Sequence, residues 1–155
     1  MLGERDKKLE SLGYPLDRFP GIGAIYKPVV VDGTTVYASG CVPYDKDILT
    51  CKGKVPSQVS LEVAKKSAAL CAANVLRNVR NQIGSLDRIA RVLKMVGYVN
   101  SDPDFTEQHL VINGASELLR EVLGEDGIGA RTAIGMGSLP LGSATEVDII
   151  FQLKH

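Results

Sequence analysis

Between residues 57 and 83, apolar side chains fall at positions 61, 64, 68, 71, 72, 75, 79 and 83. That spacing of three or four lays them on one face and predicts one long amphipathic helix. Ala64, Ala68 and Ala72 on this face are small enough for close packing against a sheet. A second helix is predicted over about 105 to 123, with apolar positions 105, 112, 115, 119 and 122 sharing a face. Asn113-Gly114 inside it would ordinarily signal a turn, but the period continues on both sides. Strand-like runs are "AIYKPVVV" (24 to 31), "TTVYASG" (34 to 40), the alternating stretch 91 to 99, and two closing runs, 130 to 138 and 145 to 153, around a Leu-Pro-Leu-Gly break. Asp32-Gly33 between the first two predicts a hairpin. Pro28 demotes the first run to an edge or a bulge. Ser85 caps a short turn before the third strand, and residues 1 to 13 form a short polar helix or a frayed arm.

The order is β-β-α-β-α-β-β, an α+β fold with both helices on one face of a sheet. At 155 residues the chain fits a single domain, 1 to 155. The strands "VYASG", "VLKMVGYV" and "TEVDIIFQL" carry apolar residues on both parities, so the face away from the helices needs a cover. With no segment left to provide one, self-association with closed cyclic symmetry is expected.

Charge narrows the function classes. Eighteen basic side chains balance eighteen acidic ones, with no basic stripe, which argues against a nucleic-acid partner and against recruitment to a membrane surface. Cys41, Cys51 and Cys71 are odd in number and lack C-x-x-C spacing, and only His109 and His155 could join them around zinc. Neither a disulfide framework nor a metal is expected. The charged start "MLGERDKKLESLGY" and the absence of a long apolar run point to a soluble protein of a reducing compartment, the cytoplasm. Phosphate-loop, dinucleotide, nucleophile-elbow and His-Glu-x-x-His patterns are missing.

Two charged residues stand among small or apolar neighbours. Arg131 follows Gly129-Ala130 and precedes Ala133-Ile134; Glu146 opens the last strand. Arg131 is either one half of a structural ion pair or a fork for a ligand carboxylate. Glu146 either pairs with a base or handles water and protons from a partly desolvated site. If the closing runs made a plain hairpin, Glu146 would lie about 20 Å along the ladder from Arg131, at about 3.3 Å per residue. Either the two strands are not neighbours or the pocket is completed across a subunit boundary. His109 and Cys41 read first as a helix-surface residue and a small buried thiol.

"GYP" near the start, Tyr26, "ASGCVPYD", the stretch from "NVLRNVRNQ" to "ELLREVLGE", and above all "ARTAIGMGSLPLG" followed by Glu146 resemble the Rid (reactive intermediate deaminase) family, also called the YjgF or endoribonuclease L-PSP family. The resemblance runs from about residue 14 to 153. It implies a chorismate-mutase-like fold assembled as a homotrimer, with ligand clefts between subunits. It also implies that Arg131 grips a substrate carboxylate, that Glu146 handles water or protons, and that Tyr26 and Gly40 line the pocket. The chain departs from the family pattern at Cys41, where Gln is common, at Ala133, often Cys, and at His109, often Asn on the second helix. The loop before Arg131 is also longer, marking a divergent subgroup.

The expected activity is hydrolysis of small 2-imino or 2-enamino carboxylates to 2-keto acids and ammonia, without a cofactor. Arg131 and Glu146 are the catalytic pair, and Tyr26, Gly40, Ala133 and His109 complete substrate binding. A small-carboxylate-binding or protein-interaction module would use the same Arg131. The ribonuclease activity attached to the family label fits the neutral charge balance poorly.

Overall fold

Both long helices form where the three- and four-residue spacing places them, except that the second begins at Gln108. Phe105 lies in the turn before it, with its amide donating to the Asp102 carbonyl. In the computed structural model, which describes residues 1–18 and 21–155, α1 spans Glu4–Ser11, α2 Leu61–Ile83 and α3 Gln108–Leu123. The N-terminal segment is a docked helix rather than a frayed arm. The Asp87 carboxylate accepts from the Glu4 and Arg5 amides, and Arg5 donates to the Ile89 and Leu123 carbonyls. α2 starts at Leu61 rather than 57, because Ser60 Oγ caps it by accepting from the Val63 amide. Ser57 is instead drawn to the Asp102 carboxylate through both its amide and its hydroxyl. Gly84, at φ 91°, ends the helix.

α3 runs unbroken through Asn113-Gly114. A Cβ on Gly114 would overlap the Lys65 carbonyl oxygen of α2. Glycine is therefore set there by the approach of two helices, not by a turn.

The strands are β1 Val29–Asp32, β2 Thr35–Cys41, β3 Tyr44–Asp45, β4 Ile48–Leu49, β5 Ile89–Asn100, β6 Ala130–Met136 and β7 Thr145–Leu153. β1 begins after Pro28, so residues 24 to 28 of the predicted strand lie outside it. Asp32 pairs with Thr35, and the turn is Gly33-Thr34, with Gly33 at φ 59°. Between β2 and α2, β3 and β4 pair as a small separate hairpin.

The main sheet has the order β1-β2-β7-β5-β6. β6 and β7 are therefore not neighbours: β6 lies parallel to β5 at the sheet edge, and β7 runs antiparallel between β2 and β5. β5, α3 and β6 form a crossover unit, which brings the sixth strand to the far side of the fifth. α2 packs on β7 and β2, and α3 on β5 and β6. Along β7, Thr145, Val147, Ile149, Phe151 and Leu153 are buried toward the helices, and the intervening residues face the other way. On that other face Val30, Tyr37, Ile134 and Met136 remain 36–47% exposed, so the chain leaves it uncovered. Among the described residues, no helix is long and apolar enough to cross a membrane.

Because Gly114 abuts main chain, Gly114→Ala should lower unfolding free energy by about 1–3 kcal/mol through overpacking. Gly137→Ala, with nothing within 4 Å of the new methyl, should change it by less than about 0.5 kcal/mol. Urea denaturation of the two variants checks both.

Candidate functional site

The exposed parity of β7 supplies the chemistry on the open face. Glu146 and Asp148 project from it into a cavity of about 580 Å³ that also meets Tyr26, Gly40, Cys41 and Tyr98. β2 reaches this cavity through a bulge. Ala38 pairs with Ile149 and Cys41 with Val147, so β2 carries one residue more than β7 between those points. Gly40 sits in the bulge because the Glu146 side chain lies over it; a Cβ there would be 3.2 Å from Glu146 Cδ and Oε1. Ser39 holds the neighbouring chain in place, donating from its amide to the Pro28 carbonyl at 2.9 Å and from its hydroxyl to the Lys27 carbonyl at 2.6 Å. Tyr26 is thereby kept beside the cavity.

Burial raises the pKa of four groups lining this cavity, Glu146, Tyr98, Tyr26 and Cys41. Desolvation, and then the charge of Asp148, raise the Glu146 pKa. Tyr98 donates its hydroxyl to Asp148 Oδ2 at 2.7 Å. Burial and that bond push its phenol up to about 12. Burial likewise raises Tyr26 and pushes the Cys41 thiol up to about 12, outweighing the Asn78 amide at 3.5 Å. Cys41 is thus a buried, protonated thiol and not a ready nucleophile.

Arg131 lies elsewhere. It pairs with Met95 on β5, whereas Glu146 pairs with Tyr98. Met95 belongs to the helix-facing parity and Tyr98 to the open one. Arg131 and Glu146 therefore leave opposite faces of the sheet. They are about 10 Å apart along the strands and about 10 Å across them, at about 3.3 Å per residue and 4.8 Å per strand.

The Arg131 guanidinium turns under α3, donating to Asn113 Oδ1 at 2.8 Å, Ser116 Oγ at 3.2 Å and the His109 carbonyl at 3.2 Å. No carboxylate among the described residues lies within ion-pair distance of it. His109 meets Arg131 through its main chain, and its side chain is exposed. Ala133, next on the same parity of β6, packs partly buried against the core.

The structure thus joins Tyr26, Gly40 and Glu146 in one cavity, and Arg131 with His109 and Ala133 at another place. Asp148 and Tyr98 were not singled out in the sequence, although Asp148, two residues from Glu146 in a strand, shares its face. Asn113 stands out in the sequence only as part of a turn-like Asn-Gly pair, and Ser116 not at all, although both lie at helical spacing from His109. No group of three or more His, Cys, Asp or Glu among the described residues could hold a metal ion.

The family model described as "YjgF/chorismate_mutase-like, putative endoribonuclease" matches residues 7–153. The chain belongs to the YjgF family. Protein TCP17 of Trypanosoma cruzi is 36% identical over 149 residues, 95% of this chain and 92% of that protein. Protein Atu1372 of Agrobacterium tumefaciens, described as of unknown function, is 40% identical, with a TM-score of 0.90 over 97% of this chain and 92% of its own. RidA of an Antarctic Psychrobacter is 21% identical with a TM-score of 0.58, over 88% and 95% of the two chains, and at that distance shares the fold alone. Within this YjgF chain, the loop leading to Arg131 contains a 3-10 turn, Gly124–Gly127, packed back on α3.

The raised Glu146 pKa has a consequence for stability. Between the unfolded value, about 4.3, and the higher folded value, the native state binds more proton than the unfolded chain. Stability therefore falls as pH rises through that window and stays reduced above it. Glu146→Gln should melt above wild type at pH 7 to 8, with the difference gone below about pH 4. Scanning calorimetry across pH reads this directly.

Proposed function

We propose that the protein hydrolyses small 2-imino and 2-enamino carboxylates to 2-keto acids and ammonia, in clefts between three copies of the chain. The observation that carries this reading is the state of Arg131. Its charge is held in place by three neutral acceptors and neutralised by no carboxylate among the described residues. A fork positioned in this way suits a planar carboxylate.

One chain keeps Arg131 and Glu146 on opposite faces, so a single ligand reaches both only if a second copy brings its β6 edge to the Glu146 cavity. The uncovered sheet face supplies the apolar surface for such an assembly, a closed homotrimer. In the cleft, Arg131 of one copy would bind the carboxylate, and backbone amides near Gly40 and Ala133 would orient the C=N bond. Tyr26 of one copy and His109 of the other would border the ligand.

Water adds to the imine carbon while one proton passes to the nitrogen, giving a carbinolamine. The hydroxyl proton then reaches the nitrogen, the C–N bond breaks, and ammonia leaves as the C=O bond forms. An enamine joins this route once its carbon is protonated. Glu146 can serve both proton transfers, since its raised pKa keeps a protonated fraction closer to neutral pH. An imine is already electrophilic, so this route calls for no cofactor.

The test follows 2-imino acids generated in situ by an amino-acid oxidase. Glu146→Gln should lower the catalysed rate about 10²–10⁴-fold, and Arg131→Ala should lower kcat/KM at least about tenfold. Ile150→Lys, placing a charge at the centre of the open face, should give monomers by light scattering and abolish turnover. A wild-type trimer that binds keto acids but does not speed imine loss would make the protein a carboxylate-binding module. Unchanged kinetics in Arg131→Ala would remove the arginine from the reaction.

A further inference from the structure

A second cavity, of about 470 Å³, lies on the helix side of the sheet, bounded by α2, the segment after α1 and the β3–β4 hairpin. Its charged lining is Arg18, Arg77 and Lys66 against the single carboxylate of Asp45, an excess of three minus one, or two positive charges. The chain as a whole has no net charge. Arg77 is the anomaly: its surface is only 1% exposed. It donates from Nε to the Pro15 carbonyl and from an NH group to Asn74 Oδ1, both at 2.8 Å. Both acceptors are neutral, and no carboxylate among the described residues is within ion-pair distance of it.

Arginine does not escape burial by losing its proton, and a buried charge without a counter-ion is among the most unfavourable features a core can hold. Asp45 acts on Arg77 only through space, beyond ion-pair distance, and its charge is shared with Arg18. Its two oxygens are both taken by Arg18 at 2.8 Å. Asp17, the other acid near Arg77, is exposed and outside the cavity lining. Tyr14 and the exposed Lys66 stand at the lining with no hydrogen bond of their own side chains among the described residues, and Leu70 and Val63 form an apolar wall. The cavity is larger than one bare oxyanion needs and falls in the size range of small-ligand sites.

We propose that this cavity is a binding site for a small phosphate monoester. Its dianion would offset the two excess charges, meeting Arg77 from below and Lys66 and Arg18 from the rim, with an apolar or aromatic body against Leu70 and Val63. The site is independent of the imine chemistry proposed above, since it shares neither Arg131 nor Glu146.

Phenyl phosphate, benzoate and inorganic phosphate titrated into the full chain at low ionic strength, by calorimetry and by amide NMR shifts, test this. Phenyl phosphate is expected to bind saturably, at least tenfold more tightly than benzoate, with shifts centred on Tyr14, Lys66 and Arg77. Lys66→Gln and Arg18→Gln, at the rim and outside the buried network, should each weaken it at least fivefold; Arg131→Ala and Glu146→Gln should leave it unchanged. Absence of saturable binding, retention in both rim variants, loss in Arg131→Ala, or equal affinity for benzoate would each overturn the assignment. Arg77→Gln adds a direct check where circular dichroism shows it folded.

Discussion

The two-residue period of β7 is the constraint on which the rest of the molecule depends. Its nine residues alternate without exception between the helix-facing core and the open face. A register slip of one residue would bury Glu146 and Asp148 and expose Phe151. Because β2 and β5 both pair with this strand, the same alternation fixes which of their side chains meet α2 and α3. It also fixes which line the Glu146 cavity. Core and cavity are two outcomes of one parity.

Against that strict strand, the bulge in β2 is the one local departure that the cavity requires. By adding a residue opposite β7, it lays main chain rather than a side chain against Glu146. The same bulge leaves Ser39 able to tie down the chain beside Tyr26. Desolvation at this spot, reinforced by Asp148, is what makes the carboxyl of Glu146 harder to ionise.

Local periodicity makes the two long helices and the alternating strands legible in the sequence, including the continuity of α3 through Asn113-Gly114. Ser85 is the cap that its position predicts, its hydroxyl accepting from the Asp87 amide. Legibility ended where partners are distant in sequence. Nothing local to β6 says that it pairs with β5 rather than β7; the geometric objection to a shared hairpin site excluded the simple arrangement without choosing between the others. Pro28 signalled a defect but not that the strand begins after it. The residues that matter to the candidate site were visible as types, Arg131 and Glu146 above all. Their placement on opposite faces follows only from ladder register. Arg77 gave no signal, because a cation inside an amphipathic run looks like a solvated one until the segment after α1 closes over it.

The close seat of α3 on α2 bears on how sequence change in this chain would be interpreted. Asn113 and Ser116, which hold Arg131, flank Gly114 on the same helix, so any side chain that pries the helices apart also moves the acceptors of the guanidinium. Gly97, where a Cβ would overlap Ile112, notches the same helix against β5. A mutational scan scored on function alone would therefore rank two glycines that touch no ligand beside Arg131. Evolutionary drift at the arginine's acceptors is confined in the same way, since α3 cannot roll to present different residues without abandoning both notches.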